Sequence, residues 1–273
     1  EAAQVLETVI HSNTYSLVTD YASIFEKEGE NGAESVFEIQ YTDAEGASFD
    51  CLQCSKGNVA VGFNSIRNYN GPVFDSGYSF NVPVQEAVDA FEAGDLRKDV
   101  AILDIVAWAA ANNATYAEGY KHTGYFNRKY IARKGDLNSP DPNLTNPNNY
   151  RAIRYADVLL MAAEAANELG NSAEALTYLE QVRARARRTS STPVLPAVTT
   201  TNQSDLRTAI RHERRVELGM EFDRFYDLVR WNIDVETLHN AGKASYQVKH
   251  RLFPLPQTQI DRSNGVLVQN PNY

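Results

Sequence analysis

The sequence predicts a mainly α-helical fold with long irregular loops and a few short strands. Three observations lead there. Apolar residues recur at helical spacing from residue 150 to 188 and again from Ser204 to about Trp231. Between Thr42 and Pro83 the chain is rich in Gly, Asn, Ser and aromatic residues without a sustained period, which reads as long ordered loops. Strand-like alternation is confined to short runs, of which Ser35-Val36-Phe37-Glu38-Ile39-Gln40-Tyr41 is the clearest.

In chain order, Val5, Leu6, Val9 and Ile10 mark a helix over 2–11 with no Ser, Thr or Asp cap before it. The expectation is a piece of a longer precursor that opens inside a helix and exposes a large apolar surface. A turn at Ser12-Asn13 leads to a short amphipathic stretch ending near Phe25. Val84 to Phe91 is a short helix closed by Asp95-Leu96-Arg97, and Gly135 to Asn149 is a connector rich in Asn, Pro and Asp.

From Tyr150, Ile153, Ala156, Leu160 and Ala163 form one helical face and Leu159, Ala163, Ala166 and Leu169 a second, so the helix packs on more than one side. Gly170 is placed for a left-handed C-cap, and Asn171 with Glu174 for a capping box. The next helix buries Leu176, Leu179, Val182 and Ala186. The pair is a tetratricopeptide-like hairpin, which needs stacked neighbours to bury its faces, and those neighbours are expected from elsewhere in the parent protein. After a Thr189–Gln203 loop, Ser204 caps one long helix reaching Trp231, with Leu218, Phe222, Phe225 and Val229 as its apolar line and Ile210 a stripe earlier. Glu213, Glu217 and Glu221 lie four apart beside Arg211 and Arg215, a local ion-pair ladder. Glu213, Arg214, Arg215, Glu217, Arg224 and Asp227 are therefore assigned to folding.

The net charge of −9 excludes a nucleic-acid partner, which requires clustered Lys and Arg. Hydrophobic residues make up 43% of the chain without a run able to cross a bilayer. Cys51 and Cys54 form a lone CxxC with no second pair to complete a zinc site, leaving a short-loop disulfide or two thiols. No carboxylate pair stands out for glycoside hydrolysis. His212-Glu213 opens like a zinc-protease helix, but position 216 is Val. Catalysis, metal and cofactor are not expected.

Several segments, taken together, resemble the RagB/SusD family. Tyr155-Ala156-Asp157-Val158-Leu159-Leu160-Met161-Ala162-Ala163-Glu164-Ala165 and Ala175-Leu176-Thr177-Tyr178-Leu179-Glu180-Gln181-Val182-Arg183-Ala184-Arg185-Ala186 are similar to its helical hairpin. Glu213-Arg214-Arg215-Val216-Glu217-Leu218, with Arg224, Asp227-Leu228 and Arg230-Trp231, resembles its signature helix. Phe253-Pro254-Leu255-Pro256 with Ile260, and Gln269-Asn270-Pro271-Asn272-Tyr273, resemble its closing segments. Weaker echoes are Tyr15-Ser16-Leu17, Glu34 to Ile39, Asp95-Leu96-Arg97 and Arg128-Lys129-Tyr130. Phe222 and Asn272 stand where the family usually has Gly, and Leu96 where it has Pro.

The resemblance implies a SusD-like, mostly helical protein of which 1–273 is the C-terminal part. Within it, 1–44 carries helix and strand of the scaffold and 45–134 an irregular ligand-binding region. Residues 150–188 are the hairpin, and 204–273 the signature helix and tail. It further implies a lipid-anchored protein on the extracellular face of the outer membrane. Such a protein binds without cleaving, and hands oligosaccharides, or in the RagB branch peptides, to a SusC-like TonB-dependent transporter. A protein-interaction scaffold is the rival reading, since tetratricopeptide-like hairpins bind peptides.

The candidate ligand surface is the 63–80 loop. Tyr69, Phe74 and Tyr78 are the platforms and Asn64, Arg67, Asn68 and Asn70 the polar partners. A sugar ring stacks its C–H face on an aromatic ring while its hydroxyls pair with amides and guanidinium groups. The resemblance points to the same region. The alternative is that these rings pin the loop onto the helical body; Trp108, Tyr116, Tyr120 and Tyr125 are reserve candidates.

Overall fold

The computed structural model describes residues 1–44, 48–51, 54–136, 144–187 and 194–273. Two compact units divide the chain, Glu1–Glu221 and Phe222–Tyr273. The first contains, in order, α1 (Ala2–His11), β1 (Ser35–Ile39), α2 (Val59–Asn64), β2 (Ile66–Arg67), β3 (Ser76–Gly77), α3 (Gln85–Asp89), α4 (Arg97–Ala101), β4 (Ile102–Asp104) and α5 (Ile105–Asn112). It continues with β5 (Tyr125–Asn127), β6 (Tyr150–Arg154), α6 (Tyr155–Glu168), α7 (Ser172–Arg187) and α8 (Gln203–Glu217). The strands pair two by two: β1 with β6 and β4 with β5 antiparallel, β2 with β3 parallel. The architecture is mainly helical, as the sequence predicts.

Helices α6 and α7 form the predicted hairpin. Ala156, Leu159, Leu160, Ala163 and Ala166 from α6 meet Ala175, Tyr178, Leu179 and Val182 from α7 in one buried cluster. Leu206 and Ile210 of α8 join it, and Leu6, Val9 and Ile10 of α1 cover it from another side. The hairpin thus finds stacked neighbours in α1 and α8 of this same chain, not elsewhere in the parent protein as expected. Gly170 adopts φ +81°, the left-handed cap that a side chain would resist. At the start of α7 only half of the predicted capping box forms: Glu174 N donates to Asn171 Oδ1 at 3.4 Å, but the Asn171 backbone N–H goes to Ala166 O and the Glu174 carboxylate accepts from the Asn171 side-chain amide at 2.7 Å instead.

Two predicted boundaries differ. Residues 150–154 form β6 and not the first turn of α6, with Ile39 opposite Tyr150 and Ser35 opposite Arg154. Within β6 both Arg151 and Arg154 are buried while Ile153 is 36% exposed, the reverse of an apolar helical face. The long helix to Trp231 is also broken. Asn202, not Ser204, caps α8, its Oδ1 accepting from Ser204 N and Asp205 N at 3.0 and 3.1 Å. The helix stops at Glu217, and Met220 and Phe222 take positive φ of 69° and 76°. Phe222 stands where the resemblance expects Gly, and Asn272, at the other such position, also has positive φ, 70°. Of the predicted apolar line, Leu218 is buried while Phe222 and Phe225 are each 37% exposed.

The second unit contains α9 (Arg224–Arg230), α10 (Asp234–Asn240) and α11 (Gln257–Arg262). Asp234 is buried and accepts from Arg251 Nε at 2.8 Å and Tyr246 Oη at 2.7 Å. The bond from Arg251 holds its carboxyl down to a pKa of about 2. The Gln269 side chain bonds the backbone N–H and C=O of Leu255, which fixes the Pro-x-Pro segment.

The local ladder is replaced by a long-range network inside the first unit. Arg154 clasps Glu221 with Nε and Nη2 at 2.7 and 2.8 Å, and its Nη1 reaches Glu34 at 2.5 Å and Glu217 at 3.1 Å. Arg185 bridges Glu34 and Glu217. Arg97 joins Asp95, Glu213 and Glu217. Lys129 Nζ lies 2.6 Å from Glu221, and Arg183 Nη1 lies 2.8 Å from Glu213. All ten side chains are buried, five acids against five bases. Tyr21 and Phe25 roof the cations: Lys129 Nζ sits 4.5 Å from the Phe25 centroid and the Arg185 guanidinium 4.9 Å from that of Tyr21. Arg215, expected in the ladder, instead pairs with Glu86 at the surface.

Burial pushes the Glu217 carboxyl up, but Arg185, Arg154 and Arg97 outweigh it and hold the pKa below the ordinary 4.5; burial is likewise overcome at Glu221 by Arg154 and Lys129. A carboxyl whose folded pKa is depressed contributes stability above its unfolded pKa and loses it as pH falls. The melting temperature should therefore fall steeply as pH drops below about 4.5. Glu217→Gln should lose about 3–5 kcal/mol at neutral pH by leaving buried cations uncompensated, and should show a flatter acid limb. Calorimetric melting from pH 7 to pH 3 checks this; a variant as stable as wild type would contradict the network's role.

Candidate functional site

The 63–80 loop is built by a backbone ladder. Tyr78 N, Ser79 N and Phe80 N donate to Gly62 O, Ser65 O and Phe63 O at 3.1, 2.8 and 2.8 Å. Residues 78–80 are thereby laid against the end of α2. The approach needs Gly77, where a Cβ would lie 2.2 Å from Gly62 O and 2.4 Å from Ser65 Cβ. Ser79 takes a positive φ of 59°, so the chain folds back there and Tyr78 and Phe80 lie side by side, while Ser79 is buried with its Oγ accepting from Arg67 N at 2.9 Å.

The outcome is a partly exposed aromatic cluster. Tyr78 and Phe80 stack with centroids 5.8 Å apart and planes inclined by 27°. Phe63 lies 5.8 Å from Tyr78 and 6.0 Å from Phe80. Phe49 meets Tyr78 edge-on at 6.0 Å. Phe80 is 53% exposed and Phe49 51%, while Tyr78 and Phe63 are half-buried. Arg67 Nη2 donates to Tyr78 O at 2.8 Å, which holds a cation at the rim of the cluster. Exposed aromatic rings beside a guanidinium are the equipment for a flat, hydroxylated ligand.

The predicted site residues separate into two groups. Tyr78, Arg67 and the exposed Asn68 belong to this surface region. Tyr69 and Phe74 do not, because their rings are 8% and 2% exposed and sit in a core with Ile66, Leu103, Ile105 and Phe126. The Tyr69 hydroxyl donates to Pro72 O at 2.8 Å and accepts from Trp108 Nε1 at 2.9 Å, and Phe74 packs 5.0 Å from Trp108. A buried ring offers no face to a ligand. Asn64 is buried too, and Asn70 is exposed but tied by paired backbone bonds to Thr115. Phe49, Phe63 and Phe80 are members that the sequence reading missed. The available signal was the aromatic pair Tyr78 and Phe80 directly after Gly77; the positive φ at Ser79 that brings the two rings together has no local signature.

Among the reserve candidates Tyr120 is 90% exposed, whereas Trp108, Tyr116 and Tyr125 are half-buried. Trp108 and Tyr125 line a separate cleft of about 570 Å³ with Asp104, Asn112 and Arg128. Cys51 and Cys54, left open by the sequence, form a disulfide.

A helical-hairpin scaffold thus displays a partly exposed aromatic surface on an irregular segment. The SusD family profile matches residues 104–273, and the chain belongs to that family. It superimposes on surface glycan-binding protein A from Bacteroides fluxus with a TM-score of 0.84 and 32% identity, over 99% of this chain and 57% of that one. A laminarin binding SusD-like protein gives 0.83 and 33%, over 99% and 58%. SusD-like protein P2 from Formosa agariphila is 32% identical over 212 residues, 73% of this chain and 41% of that protein. The chain spans about half the length of the curated relatives it matches.

The separation of core from surface rings has a measurable consequence. Tyr69→Ala and Phe74→Ala should each cost about 3–5 kcal/mol in denaturant titrations, the usual loss for a buried aromatic ring. Tyr78→Ala, on a half-exposed ring, should cost clearly less. Equal losses at the three positions would contradict the assignment.

Proposed function

We propose that this protein captures neutral oligosaccharides at the cell surface on the Tyr78, Phe80, Phe63 and Phe49 cluster, with Arg67 and Asn68 as polar partners. The single observation that carries the reading is the stack of Tyr78 on Phe80, half open to solvent with a guanidinium at its rim. Two adjacent ring faces match the apolar faces of successive sugar units, and burying each face contributes through area and C–H stacking. The likeness to surface glycan-binding proteins, one of them solved in complex with laminarihexaose at 28% identity and a TM-score of 0.80, supports the same ligand class.

Membership of the SusD family supports the rest of the proposal. The protein binds without cleaving, is held at the outer membrane by a lipid anchor, and passes its ligand to a SusC-like TonB-dependent transporter. The fold supplies rigidity for this task through the charge network, and the loop supplies chemistry.

Calorimetry with laminarihexaose, cellohexaose, xylohexaose and mannohexaose tests the reading. At least one should bind, and Tyr78→Ala and Phe80→Ala should each weaken that affinity about tenfold, the loss of roughly 1.4 kcal/mol, with melting nearly unchanged. Wild-type affinity in both variants, or no binding of any of the four, would overturn it.

A further inference from the structure

Phe49 reaches the cluster from a different strap of chain than its partners, and the way that strap is held is informative. Its base is pinned. Thr42 N donates to Lys56 O at 3.0 Å, and Ser55 Oγ donates to Leu144 O at 2.6 Å. Phe49 itself sits in a tight turn, in which Cys51 N donates to Ser48 O at 3.0 Å and Asp50 N to Ser48 Oγ at 3.2 Å. Directly after the turn, Cys54 N donates to Cys51 O at 3.1 Å and the two sulfurs are bonded.

This disulfide is badly placed for a global staple. It spans three residues, and the gain from closing a loop grows with the length closed. Cys51 is half-buried and Cys54 exposed, and neither belongs to a buried apolar cluster among the described residues. What the bond does hold is Cys51, which is also the closing residue of the Ser48–Cys51 turn; Phe49 stands within that turn, with its ring 51% exposed and its edge on Tyr78. An exposed ring on an irregular strap would otherwise have to be ordered when ligand arrives, and that ordering subtracts from affinity.

We propose that the Cys51–Cys54 disulfide is a positioning element of the binding surface. It pre-sets the Phe49 edge against Tyr78 and so fixes one wall of the platform before ligand binds. The inference rests on the saccharide reading above. It makes Phe49, Cys51 and Cys54 determinants of affinity although neither cysteine touches ligand.

A coupled set of variants tests this, using the tightest binder among laminarihexaose, cellohexaose, xylohexaose and mannohexaose. Cys51→Ser with Cys54→Ser should weaken binding about three- to tenfold, the span of one lost edge-to-face contact, with little change in melting temperature. Phe49→Ala should weaken it similarly and Phe49→Tyr should not. Because the disulfide acts through Phe49, the triple variant should bind no worse than Phe49→Ala alone. Unchanged affinity in the double Ser variant, a further loss in the triple variant, or a loss accompanied by a collapse in melting temperature would each overturn the inference. The arms are separable. If Tyr78→Ala or Phe80→Ala weakens binding and the double Ser variant does not, the positioning role falls while the saccharide reading stands; if both ring variants also leave affinity intact, both fall.

Discussion

The charge cluster around Glu217 is the constraint on which the rest of the first unit depends. Its members come from α4 and the turn before it, β6, α7, α8 and the segments before β1, after β5 and after α8, so, apart from the local Asp95–Arg97 pair, elements scattered along the chain must converge for the charges to be neutralised. Arg154 and Glu34 are 120 residues apart, and Arg97 and Glu217 likewise 120. Buried ions are costly when unpaired and close to neutral when fully paired, so the cluster rewards a single arrangement and penalises its neighbours. That explains the two places where the chain departs from helical habit. β6 is extended because Arg154 must reach three carboxylates at once, and α8 ends at Glu217 with Glu221 beyond it, still on Arg154 and Lys129.

The same logic accounts for how a ligand surface can be carried on irregular structure. Tyr78 and Phe80 owe their place to a backbone ladder along α2 and to the space that Gly77 leaves. Tyr69, Phe74 and Trp108 lock together separately through one hydroxyl and two ring contacts, with Tyr69 and Phe74 buried. Keeping the buried rings apart from the open ones lets the binding chemistry vary without disturbing the scaffold.

Much of the scaffold was legible because it follows apolar period. The α6–α7 hairpin, the Gly170 cap and the Asn171–Glu174 pairing are all local signals, and each is where the sequence puts it, though the pairing joins side chain to side chain and not as a full capping box. β6 was not legible, since the residues it buries are Arg151 and Arg154, which a hydrophobic pattern counts as surface. Nor was the network, because Glu213 and Glu217 have arginines nearby in sequence while their partners are distant. At the candidate site Tyr69 and Tyr78 look alike in sequence. What separates them is a tertiary partner, the indole of Trp108 bonded to the Tyr69 hydroxyl, and no local pattern announces it.

Amide hydrogen exchange with and without bound oligosaccharide measures scaffold and surface together. If a charge-locked scaffold carries a separate aromatic surface, the slowest amides lie in α6, α7 and α8 and ligand leaves them unchanged, while added protection is confined to the strap around Phe49 and to residues 61–80. Ligand-dependent protection centred on the α6–α7 hairpin, with residues 61–80 unaffected, would contradict that division.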